Sequence, residues 1–98
     1  KPNIKLHYLY RDAGNFKIFN DVVFSNLYQI DLSTLSIYLK SHLIDGEFFV
    51  PEDWKLQDYH SPYNPSLDHE WHEFVKIETI HASTTATIDI LDFIKSLR

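Results

Sequence analysis

The 98-residue chain contains no cysteine and no methionine, only two glycines, and no long apolar run. Without cysteine there can be no disulfide, no thiolate nucleophile and no thiolate-held zinc or iron–sulfur cluster. With glycine confined to Gly14 and Gly46, neither a phosphate-cradling loop nor a dinucleotide fingerprint can be built, because both need clustered glycines. Apolar stretches as short as Phe48-Phe49-Val50 cannot make a membrane-crossing helix, which needs about 20 apolar residues. The amino end shows no leader pattern of positive charge followed by an apolar stretch. Nine Lys and Arg stand against fourteen Asp and Glu, a net charge of −5. No basic cluster exists to neutralise phosphates, so nucleic acid is not an expected partner. The bases also dilute the acids too far for mimicry of a nucleic-acid backbone. No serine sits in a glycine-flanked elbow, which removes that class of nucleophilic hydrolase. A cysteine-free chain suits a reducing compartment, and a cytoplasmic location is expected.

What is present is apolar and aromatic. A content of 44% apolar and 15% aromatic residues predicts one packed domain over residues 1–98 rather than disorder. Ile4, Leu6, Tyr8 and Tyr10 alternate as in a strand. The Asp12-Ala13-Gly14-Asn15 stretch supplies a turn in which Gly14 and Asn15 tolerate positive φ. A second strand over 16–25 places Phe16, Ile18, Val22 and Phe24 on one face, with a bend or bulge at Asn20-Asp21. Asp31 is placed to cap a helix whose face carries Leu32, Leu35, Tyr38, Leu39 and Leu43. Asp45-Gly46 ends it, and residues 47–50 read as a short strand that Pro51 terminates. Residues 51–68 then form a long proline-containing connection. From 71 to 80 the chain alternates again, with Trp71, Val75 and Ile77 on one face. A last helix carries Ile88, Leu91, Ile94 and Leu97 behind a Thr87 cap. The order β-β-α-β-β-α predicts an α+β two-layer sandwich, an antiparallel sheet of three to four strands with two helices on one face.

Candidate chemistry concentrates in two places. The Asp68-His69-Glu70-Trp71-His72-Glu73-Phe74 block packs five ionisable groups around one tryptophan. In a helix His69, His72 and Glu73 would share a face. In the strand read here, His69, Trp71 and Glu73 point one way and Glu70, His72 and Phe74 the other, which separates the two histidines. His69 and His72 are therefore weak metal candidates, and no metal or other cofactor is expected. The hairpin turn brings Arg11, Asp12, Asn15 and Lys17 together. Arg11 could grip an anion there, or Asp12 and Asn15 could simply satisfy turn amides while Arg11 pairs with Asp12. Glu70, Glu73 and Asp12 are candidate acid–base groups. Trp54, Tyr59, Tyr63 and Tyr28 lie in or beside connections and suit interface anchors. Trp54 is also placed to fold back as a lid over the core.

Three stretches carry a resemblance: Tyr10-Arg11-Asp12-Ala13-Gly14-Asn15-Phe16-Lys17, Leu43-Ile44-Asp45-Gly46-Glu47-Phe48-Phe49-Val50-Pro51, and the Asp68–Phe74 block. Their pattern resembles a group of small uncharacterised bacterial proteins with a YRDA-x-N-x-K turn, a DGE-F/Y-F segment and a DH-x-WHE block. The resemblance implies a compact bacterial single-domain protein, implies no activity, and nominates the three blocks as parts of one site. Size, acidity and missing catalytic motifs lead to the expectation of a non-enzymatic protein-interaction module, antitoxin-like, immunity-like or otherwise regulatory. The alternative is a small enzyme or ligand-binding domain using Arg11, Asp12, Asn15, Lys17, His69, His72 and Glu73. An open edge strand would also permit a homodimer.

Overall fold

In a computed structural model, residues 2–12, 14–57 and 71–97 are described. Two long strands, β1 (Asn3–Arg11) and β2 (Lys17–Phe24), form the hairpin expected from their alternation. The chain continues through α1 (Leu32–Ser41), a two-residue β3 (Phe48–Phe49), a single helical turn α2 (Pro51–Trp54), β4 (His72–Ile80) and α3 (Ile90–Ser96). The four strands make one antiparallel sheet in the order β2-β1-β4-β3. The fold is α+β.

Alternation on β1 decides the core. Ile4, Leu6, Tyr8 and Tyr10 are all buried. The first three join Leu35 and Leu39 of α1 and Ile90, Phe93 and Ile94 of α3 in a single cluster. Both longer helices therefore pack on the same sheet face. Trp54 closes this core, 2% exposed, stacked on Phe49 at 4.6 Å and edge-on to Phe93 at 5.7 Å. It is a lid and not an interface anchor. No helix among the described residues is long and apolar enough to cross a membrane.

Several local expectations need correction. The β1–β2 ladder runs in unbroken register from Ile4↔Phe24 to Arg11↔Lys17, with no bulge at Asn20-Asp21. The irregularity lies in β4, where His7 pairs with Lys76 and Tyr8 with Phe74, leaving Val75 as the extra residue. The phase of β4 changes there, so Trp71 and Val75 are exposed while Ile77 is buried. Phe16 precedes β2 and is also exposed. Helix α1 ends at Ser41, short of Leu43, and Tyr38 faces solvent. Asp31 caps it as expected, its carboxylate accepting from Thr34 N–H. Asp45 (φ 53°) and Gly46 (φ 71°) form a left-handed pair that folds Ile44 back onto Phe48. Pro51 starts α2 instead of a loop, because its fixed φ and missing N–H suit a first helical position. The cap of α3 is Asp89, not Thr87. Its buried side is Ile90, Phe93 and Ile94 with Leu97 behind, and Ile88 lies exposed outside the helix.

Candidate functional site

Residues opposite one another in the register share a face, so Lys5, His7, Leu9 and Arg11 of β1 lie on the side away from the helices. Val23, Asp21, Phe19 and Lys17 of β2 and Glu78, Lys76 and Glu73 of β4 flank them. Two of the three sequence blocks meet here. Arg11 Nε donates to Glu73 Oε2 at 2.8 Å and its Nη2 to Oε1 at 3.3 Å, while Nη1 donates to Asn15 Oδ1 at 2.7 Å. This fork holds the guanidinium above its ordinary pKa, first through the hydrogen bond it donates to Glu73. The third block arrives through the backbone: Phe74 N–H donates to Glu47 O at 2.9 Å, and Phe48 pairs with Glu73.

The convergence is structural more than chemical. Arg11 already donates three of its five N–H groups to Glu73 and Asn15, so the expected Arg11–Asp12 pairing is replaced and less of the guanidinium is left to offer an anion. Asp12 Oδ1 instead accepts from Phe16 N–H at 2.8 Å, and Asn15 takes the left-handed position at φ 65°. Lys17 is exposed at the start of β2. His72 points to the other face, as the strand reading predicted. It is fully buried against the rings of Tyr10, Phe49 and Tyr8 at 4.9, 5.9 and 6.1 Å. That surrounding is a core environment. Among the described residues no group of three His, Asp or Glu is placed to hold a metal. His69, Tyr59 and Tyr63 lie outside the described residues.

The helix-free face is otherwise a ladder of ion pairs beside aromatic side chains. Lys5 reaches Asp21 at 3.8 Å, Lys76 reaches Glu78 at 3.6 Å, and His7 Nε2 also meets Glu78. The hydrogen bond from His7 is the largest cause holding Glu78 below the usual carboxylate range. Each acid on this face has a basic partner, so the face is mixed in charge although the chain is acidic. At one end Leu9 is buried, while Phe19 and Phe16 are 68% and 67% exposed. Across β4, Trp71 is 40% exposed and lies 5.6 Å from Phe48, ring centre to ring centre. The sequence reading placed Phe16 on one face with Ile18, Val22 and Phe24 and gave Phe19 no role. Strict alternation from Ile18 would have put Phe19 on the outer face.

A concavity lies on the helix side, at the β2 edge. It has a volume of about 520 Å³, is mainly apolar, and is bounded by β2, residues 55–57, residues 85–88 and α3. Across its floor Asn20 Nδ2 donates to Tyr8 Oη at 2.8 Å, and Tyr8 Oη donates to Gln57 O at 3.2 Å. No sequence motif marked this cleft, because its polar groups come from three separated segments. Comparison with protein-family models, with curated proteins and with solved structures found no match.

Proposed function

We propose that the chain is a protein-interaction module that docks a partner through its helix-free sheet face. One observation carries the reading: Phe16, Phe19, Trp71 and Val75 stand exposed on or beside that face. Apolar side chains gathered on a rigid sheet with a charged rim are the composition of a recognition surface, and aromatics are its usual anchors. The ion pairs around them set orientation more than affinity. An antitoxin-like, immunity-like or other regulatory role in a bacterial cytoplasm is the use of such a module that the sequence leads us to favour. The ligand-binding alternative is better supported by the cleft floored by Tyr8, Asn20 and Gln57 than by the Arg11–Glu73 pair.

The test is a photo-crosslinking residue at position 75, against a control at the exposed Asp92 on α3, in cells that make the protein natively. The expected result is a discrete adduct from position 75, competed away by untagged wild-type chain and absent from the control. Equal labelling at both positions, or none at position 75, overturns the proposal.

A further inference from the structure

Strand β2 is an edge of the sheet, and only part of its outer side is used. Val23 turns its backbone outward: its carbonyl accepts from Thr85 and Ala86 N–H at 2.9 and 3.0 Å, and its N–H donates to Thr85 Oγ1 at 2.9 Å. In an antiparallel ladder, alternate residues direct N–H and C=O to the same side. Lys17, Phe19 and Asp21 share the parity of Val23, so their backbone groups face outward too. Among the described residues nothing occupies them. The same three side chains lie on the helix-free face, and about Phe19 their charges are mirror-opposed, Lys17 on one side and Asp21 on the other.

We propose that this edge binds the same edge of a second copy, antiparallel about a two-fold axis through Phe19, giving a continuous eight-stranded sheet. Phe19 then faces Phe19 of the other copy, and Lys17 of each faces Asp21 of the other. Each opposed pair exchanges N–H and C=O in both directions. Charge disfavours two of the alternative registers, and only the axis at Phe19 pairs Lys17 with Asp21. Moving the axis to Lys17 or to Asp21 sets like charges directly opposite, which is destabilising. Asp21 is more than 3.5 Å from Lys5, its present partner, and remains free to hydrogen-bond across the axis. Pairing consumes this edge: residues 85–86 already occupy β2 at Val23, and the Asp12–Asn15 turn ends it at the other side, so a third copy cannot join at β2. The partner reading also uses Phe19, but its crosslinking position, Val75, lies on β4, across β1 from this axis, so the two readings fail separately.

The absence of cysteine provides the test. Opposed residues that exchange both hydrogen bonds have Cα atoms about 5.5 Å apart, within disulfide reach. Under mild oxidation of the full chain, Phe19→Cys should give a disulfide dimer. Lys17→Cys and Asp21→Cys should each form no disulfide alone and crosslink when mixed. Without crosslinks, Lys17→Asp should weaken the wild-type dimer in sedimentation about tenfold or more, and adding Asp21→Lys should restore it. A wild-type chain monomeric at high concentration, crosslinking indifferent to position, or weakening by Lys17→Asp that Asp21→Lys fails to rescue would each overturn the proposal.

Discussion

Replacing Asp89 by alanine tests the joint between the hairpin and the last helix. Asp89 is 6% exposed, yet carries charge. Burial pushes its pKa up, but N–H groups of Leu27 and Leu91 and the Ser25 hydroxyl together outweigh that and hold it below the ordinary carboxylate value. Oδ1 accepts from Ser25 Oγ and Leu27 N–H, both at 2.8 Å, and Oδ2 from Leu91 N–H at 3.1 Å. Loss of the helix cap costs about 1 kcal/mol. The Leu27 amide, left without its charged acceptor, costs about 1.5 kcal/mol, and the Ser25 hydroxyl, free to turn to water, about 0.5 kcal/mol. The total of about 3 kcal/mol is a large part of the stability of a domain this size, about 5–10 kcal/mol. At roughly 4–8 °C per kcal/mol, the Asp89→Ala melting temperature should fall by roughly 12–24 °C. Asp89→Asn keeps an acceptor and should lose about half as much. Because the folded pKa is depressed, the charge stabilises at pH above the unfolded value of about 3.9. That contribution disappears as pH falls from there through the folded pKa. Thermal melts by circular dichroism should therefore show the wild type and Asp89→Asn converging as the pH is lowered through that window. A drop of less than about 4 °C for Asp89→Ala at pH 7, or a gap that widens on acidification, would refute the assignment.

Trp54→Ala should cost about 3–5 kcal/mol by emptying the stack on Phe49, read as a lower urea midpoint, whereas Trp54→Phe should recover much of it. Gly46→Ala should lose about 1 kcal/mol in the same assay through backbone strain alone, because a Cβ there has open space but φ is +71°. Glu73→Gln should lower the melting temperature in dilute buffer, and the difference should shrink in 1 M salt, where screening acts over about 3 Å.

Much of the architecture could be read from residue pattern. Ile4, Leu6, Tyr8 and Tyr10 declare β1 by alternation, Asp31 with Leu35 and Leu39 declares α1 by cap and spacing, and both hold because local preference and burial agree. Misreadings fall where they compete. Thr87 looks like a cap from its position beside an apolar run, but Asp89 takes the role because Ser25 and Leu27, distant in sequence, supply it with extra donors. Pro51 looks like a terminator and acts as a helix start. The Tyr8–Asn20–Gln57 line had no sequence signature, since it depends on packing between segments. Of the candidate site, the meeting of Arg11, Asn15 and Glu73 could be suspected from the three blocks. The pairing itself needed the strand order.

One residue decides what this surface displays. Counting outward from the buried Ile77 by strict alternation would send Val75, Glu73 and Trp71 into the core and His72 to the open face. Val75 is the extra residue in the ladder, and beyond it the count shifts by one. His72 and Phe74 thereby enter the core side, while Glu73 reaches Arg11 and Trp71 reaches Phe48. The alternative phase would bury a carboxylate away from its guanidinium, a large penalty, and would take His72 out of its packing among Tyr8, Tyr10 and Phe49. The bulge therefore decides which side chains reach which face: it permits a strand with acid and histidine side by side to place the acid in the ion-pair ladder of the helix-free face and the histidine in the core.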